Sequence, residues 1–201
     1  TGEATIPQTA DKNWNKYQWF NGTDSFVELT SSLSLGVGEY IEATQYWRVG
    51  DRLSLWEDVV ASVDFMQITN LAVCNFRINN TTYSHAVAAV SDSFNTLRLT
   101  RTAASSYTLT INGADEVFAT TNAAIDLRHI GGTDGVGLYY QGFGPAVIYN
   151  GTGAWSGLGN DPWKDTIGSN NGTESGAFTS ELVSASDAND QIDALGTAIL
   201  E

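Results

Sequence analysis

Apolar and polar positions alternate along this chain in short runs, each ended by Gly, Asn or Asp, and a period of two is the pattern of half-buried strands. The first clear run is residues 26–29, after a polar turn at Asn21-Gly22 where glycine takes a positive φ without steric cost. Its phase reads with Phe26 inward and Val27 outward. Leu33, Leu35 and Val37 continue the alternation across Ser34 and Gly36. Residues 40–49 are rich in aromatic and β-branched side chains and predict a long strand, and residues 59–68 predict another. The runs 71–78 and 83–90 flank Asn79-Asn80-Thr81, the pattern of a hairpin with a polar tip. A second pair, 97–101 and 107–111, alternates cleanly, and Asn112-Gly113 turns it into Val117-Phe118. Residues 136–140 and 145–149 close the series beside Gly-rich loops.

Only the end of the chain breaks this period. Ser186 is a candidate N-cap, and Ile192, Leu195, Ile199 and Leu200 share one face of a helix over 187–200. Gly196 weakens that helix by about 1 kcal/mol relative to alanine. Strands recurring every 8–12 residues or so, with turn signals between them, define an all-β sandwich or barrel. At 201 residues the chain forms one domain of that class. The expected organisation is an N-terminal arm over 1–16, the strand domain over 17–180, and a helical tail over 181–201.

Composition narrows the function. The formal net charge is -14 with Lys+Arg only 9, so the surface repels phosphate backbones and nucleic acid is excluded as a partner. No apolar run approaches the ~18 residues of a membrane-spanning helix. Cys74 is the single cysteine and lies in the apolar run Leu71-Ala72-Val73-Cys74, which marks it as a small core residue and rules out an internal disulfide. The chain starts at Thr1 with no leader pattern, which points to a processed product or a piece of a longer protein.

Several segments bear a family likeness. The stretch Phe20-Asn21-Gly22-Thr23-Asp24-Ser25-Phe26-Val27 resembles the opening motif of laminin-G-like, concanavalin A-like jelly-roll domains. Phe94-Asn95-Thr96-Leu97-Arg98-Leu99, followed by Tyr107-Thr108-Leu109-Thr110-Ile111-Asn112-Gly113, is similar to the central hairpin of that family. Asp165-Thr166-Ile167-Gly168-Ser169-Asn170-Asn171-Gly172-Thr173 is similar to an Asp-x-x-Gly-x-Asn-x-Gly-Thr element that in the family precedes the opening strand, whereas here it follows the last one. The resemblance implies a two-sheet antiparallel jelly-roll sandwich whose first and last strands are adjacent, so that 26–29 and 146–149 pair. It further implies a non-enzymatic component of a tailed-phage virion surface, a capsid decoration or tail-fibre domain. Its partners would then be other virion proteins, copies of itself or host-surface glycans. The alternatives are a carbohydrate-binding module of a bacterial surface or secreted protein and, third, a glycan-cleaving enzyme.

Catalysis finds little to work with. A retaining glycosidase holds two carboxylates about 5–5.5 Å apart, whereas Glu39 and Glu42 fall on opposite faces of a strand, as do Glu57 and Asp58. His85 and His129 stand apart from any nucleophile, and no catalytic residue is assigned. Sugars stack on exposed aromatic faces, which makes Tyr139 and Tyr140 beside the Gly-rich loop, Trp155 and Trp163 the candidate platforms. Trp47 and Trp56 lie in strand-like runs and read as core. No cofactor and no metal site is assigned, although Asp24, Asp134 and Asp165 lie in loops of the kind that bind a structural Ca²⁺.

Overall fold

The computed structural model describes residues 16–20, 26–47, 50, 52–58, 64–121, 123–131, 138–140, 147–150, 153–155, 165–175 and 178–182. Sixteen strands follow in chain order. They are β1 (Lys16–Phe20), β2 (Phe26–Ser34), β3 (Tyr40–Trp47), β4 (Leu53–Glu57), β5 (Phe65–Ile68), β6 (Val73–Ile78), β7 (Thr81–Ala88) and β8 (Ser93–Ala103). Then come β9 (Ser106–Ile111), β10 (Ala114–Ala119), β11 (Asp126–Ile130), β12 (Leu138–Tyr140), β13 (Val147–Tyr149), β14 (Gly153–Trp155), β15 (Gly172–Ser175) and β16 (Phe178–Leu182). The helix expected over 187–200 lies outside the described residues, as does nearly all of the expected N-terminal arm.

The strands form an all-β, two-sheet antiparallel sandwich. Sheet A runs β10-β9-β8-β3-β12-β1-β16, with β13 also paired to β3 and β14 to β13. Sheet B runs β15-β2-β11-β4-β5-β6-β7. Turn chemistry sets the hairpins. Asn79 and Asn80 (φ 51 and 67) join β6 to β7, and Asn112-Gly113 (φ 49 and 87) joins β9 to β10; positive φ at both central residues matches the twist of the flanking strands.

Alternation then selects the core. Ile41, Ala43 and Trp47 of β3 face Leu97 and Leu99 of β8 and Leu109 and Ile111 of β9 on the inner side of sheet A. Trp56, Met66, Ile68, Cys74 and Phe76 form the facing layer of sheet B. Burial pushes the Cys74 thiol up to about 12, so it stays protonated and inert.

Two expectations are corrected. In β2 it is Val27 and Leu29 that are fully buried, while Phe26 and Glu28 lie on the outer side. Phe26 instead packs against the His129 ring, with centroids 4.4 Å apart and the rings tilted by 35°. A one-residue change of phase turns over every side chain, and Phe26 and Val27 are both apolar, so the local pattern allowed either phase. The second correction concerns the partner of β2. Strand β13 belongs to sheet A and pairs with β3 and β14, whereas β2 lies in sheet B between β11 and β15.

The Asp165 turn is what attaches β15 to β2. Its carboxylate accepts hydrogen bonds from the amides of Ala154, Ile167, Gly168 and Asn170, at 2.9–3.1 Å. The Asn171 side chain accepts from the Asp165 amide (3.0 Å), and the Asn170 side-chain amide brackets the Ser31 backbone. Thr30 of β2 donates through both its amide and its hydroxyl to the Asn171 carbonyl. At the other end of the sandwich Glu116 of β10 accepts from the Ala86 amide of β7 (2.6 Å), joining an edge of each sheet.

Candidate functional site

The outer face of sheet B is floored by polar side chains that are nearly out of reach of water. Gln67 of β5 and Asn75 of β6 sit opposite each other, flanked in register by Ser54 of β4 and Ser84 of β7. One step along, Phe65, Arg77 and Thr82 form a parallel row. These positions are outward because their chain neighbours Met66, Ile68, Cys74 and Phe76 fill the core. Yet Gln67 is only 5% exposed, Asn75 6% and Phe65 7%.

A polar atom removed from water needs a partner, and each one left without costs about 1–3 kcal/mol. Gln67 has one, since its Oε1 accepts from Arg52 Nε at 3.2 Å. Asn75 Oδ1 and Arg77 Nε have none among the described residues. Arg77 is otherwise held in place, donating from Nη2 to Asn80 Oδ1 (3.0 Å) with its guanidinium 5.8 Å from the centre of the Phe65 ring. The floor therefore presents an acceptor and a charged donor side by side, both unanswered among the described residues.

Beyond β4 the same face carries ionisable groups. His129 of β11 lies opposite Glu28 of β2, and Arg128 Nη2 pairs with Glu28 Oε1 at 2.8 Å. Burial holds the His129 imidazole below its usual range; Glu28 and Asp58 pull the other way and Arg128 adds to the depression. Asp64 pins this region. Its two oxygens accept from the amides of Asn79 and Asp126, at 2.9 and 3.1 Å, and burial raises its carboxyl despite those bonds.

The outer face of sheet A is built differently. Arg98 Nε pairs with Glu42 Oε2 at 2.7 Å and lies 4.5 Å over the Tyr40 ring. The Thr44 and Thr96 hydroxyls bond to each other (2.9 Å), and Thr110 donates to Asp115 (2.6 Å).

The residues singled out from the sequence fall in four places. Tyr139 of β12 stands in register with Tyr46 of β3 and Trp19 of β1. Tyr140 is in register with Gln45 and Gln18 of the same two strands. Trp155 is fully buried, which corrects its reading as an open platform. Its ring lies 5.9 Å from that of Trp56, its Nε1 donates to the Asn170 carbonyl (2.8 Å), and it packs so close over Gly153 that a Cβ there would meet the ring at 2.4 Å. Trp163, Asp24 and Asp134 lie outside the described residues. Both oxygens of Asp165 face amide N–H groups, an anion's surroundings and not a cation's, and no group of three His, Cys, Asp or Glu among the described residues could hold a metal.

Gln67, Asn75 and Arg77 were missed by sequence reasoning. Their signal is present as the polar members of two otherwise apolar strands, but alternation by itself marks such positions only as solvent-facing.

No protein-family model matches this sequence, and no curated protein does. Among solved structures the chain is similar to a toad ovary galectin in complex with thio-digalactose, at 10% identity over 63% of this chain and 98% of that one, TM-score 0.43. It is also similar to the LG1-3 region of the laminin alpha2 chain, at 12% identity over 67% of this chain, TM-score 0.49, and spans 26% of that chain. A third similar structure is carbohydrate-binding module CBM66 from Bacillus subtilis, at 12% identity over 61% of this chain and 81% of that one, TM-score 0.43.

Proposed function

We propose that this domain binds glycans without cleaving them, on the outer face of sheet B across β5, β6 and β7. One observation carries the reading: Asn75 Oδ1 and Arg77 Nε are out of reach of water and without a hydrogen-bond partner among the described residues, on an outward polar floor. A sugar hydroxyl both donates and accepts, so one vicinal pair satisfies both atoms and offsets the desolvation they already bear. Side-chain amides and a guanidinium neither take nor give protons near neutral pH, which favours recognition over acid–base catalysis.

A glycan array probed with the intact protein, followed by calorimetry on the best ligand, tests this. Binding that Asn75→Ala and Arg77→Ala weaken is the expected result; a blank array, or affinity indifferent to both changes, refutes it. For the biological setting we propose the exposed surface of a phage particle, on the sequence resemblance. Mass spectrometry of purified particles checks that point, and finding the chain only in a bacterial surface or secreted fraction reassigns it to a carbohydrate-binding module.

A further inference from the structure

We infer that His85 is an acid-responsive joint between the two sheets: on taking a proton, its ring exchanges a backbone amide of β7 for the Glu116 carboxylate of β10. The joint lies where β7, at an edge of sheet B, meets β10, at an edge of sheet A. It does not depend on the glycan site of sheet B.

The local backbone explains why a histidine is placed there. Val73 pairs with Ala88 and Asn75 with Ser84, so the single residue Cys74 stands opposite the three residues 85–87. The extra length is a bulge, which takes amides of the strand out of the ladder. Each then needs an acceptor from elsewhere. The Ala86 amide finds Glu116 Oε2 at 2.6 Å, and the Val87 amide finds His85 Nδ1 at 2.9 Å. A ring nitrogen that accepts carries no proton, so the neutral imidazole holds its proton on Nε2. That nitrogen is buried and without a hydrogen-bond partner among the described residues.

The neutral ring is therefore held by one bond, and charging removes it. A proton on Nδ1 makes that atom a donor facing the Val87 N–H, and the two repel. Glu116 Oε2 lies 3.6 Å from the same Nδ1 and is the one charged group within ion-pair distance of the ring among the described residues. The His85 side chain is 2% exposed, so water does not answer the new charge. A closing movement of under ~1 Å brings the pair to charge-assisted hydrogen-bond distance, and such a bond is about twice as strong as a neutral one.

The remaining neighbours offer no counter-charge. Opposite the bulge stands the Cys74 thiol of β6, which burial keeps protonated. Two residues back along β7, Tyr83 packs with Phe76 of β6 and Phe118 of β10, ring centroids 5.1–6.0 Å apart. On β10 itself, Asp115 is engaged by the Thr110 hydroxyl on the outer side of sheet A. Acid thus frees the Val87 amide within the bulge and adds an ion pair across the seam between the sheets.

The test is an NMR titration of the intact, isotope-labelled protein from pH 8 to pH 5. The chain has two histidines, and His129→Gln leaves His85 as the single imidazole. At pH 8 the His85 ring should carry its proton on Nε2, and across the range it should gain one on Nδ1. The Val87 amide signal should follow with the same midpoint, and its protection from exchange should fall by about tenfold, the loss of one hydrogen bond. Glu116→Gln keeps an acceptor for the Ala86 amide but no charge, and should move the midpoint to lower pH. A ring that stays neutral to pH 5, a ring proton on Nδ1 at pH 8, or an unmoved midpoint in Glu116→Gln overturns the proposal. Should Glu116→Gln fail to fold, the Val87 amide of the wild-type protein decides, and a signal that does not follow the ring overturns it.

Discussion

On the outer face of sheet A the polar side chains answer one another: Arg98 with Glu42, Thr44 with Thr96, Thr110 with Asp115. On the outer face of sheet B, Gln67 is answered by Arg52, but Asn75 Oδ1 and Arg77 Nε are left open although nearly buried. Both faces arise from the same alternation, so exposure to the outside is not the distinction. What differs is whether the hydrogen-bonding capacity is used up within the protein. Paired groups keep a strand edge solvated and in register. Unpaired and desolvated ones carry an energetic debt that folding did not settle and that a ligand can.

The largest effect that would blur this contrast is loss of the frame itself. Asp165→Ala removes the acceptor for four amides and should cost about 2–4 kcal/mol by urea denaturation, with exchange protection lost first along β15 and β2. Next comes the contrast directly. Arg77→Ala should reduce glycan affinity by about tenfold or more, whereas Arg98→Ala on sheet A should leave sheet B binding unchanged and cost about 0.5 kcal/mol or less, its ion pair being solvated. Equal losses of affinity from the two changes would end the distinction between the faces.

A third experiment asks whether an unanswered group inside the sandwich behaves like one on the floor. Gln45 is fully buried, and neither end of its amide has a partner among the described residues. Gln45→Leu should therefore stabilise the fold by about 1 kcal/mol or more, seen as a higher melting temperature. The smallest effect is on pH. The folded-state pKa of His129 lies below the unfolded value of about 6.5, so the unfolded chain binds the extra proton first. Stability should be full above that value and decline as pH falls through it, and His129→Gln should flatten the decline. Asp165 acts lower on the scale. Burial raises its carboxyl but its amide bonds outweigh burial, so its contribution is present above the unfolded value near 3.8 and is lost as pH falls further.

Most strands were legible from alternation, and both two-residue turns were legible from Asn79-Asn80 and Asn112-Gly113. Trp47, Trp56 and Cys74 were correctly read as core. Trp155 was not, because a Gly-rich surrounding suggests an exposed loop when in fact Gly153 makes room for the indole. The Asp165 element was recognised as a motif but not as the turn that carries β15 to β2. Asp165, Ser31 and Ala154 meet only once the chain has folded back, and no local window contains all three.

The sequence by itself determined where strands and turns lie and which apolar residues are available to a core. Those outcomes depend on backbone preferences and a two-residue period, both of which act over a few neighbours. Only the tertiary structure decided the phase of β2, its place between β11 and β15, and the alignment of Gln67 with Asn75 and of Phe94 with Tyr46, Tyr139 and Trp19. Lateral pairing joins strands distant in the chain, and the free energy that selects it comes from burying whole faces together. For that reason the scaffold could be read from the residues, while the candidate site on the outer face of sheet B emerged only when the strands were set side by side.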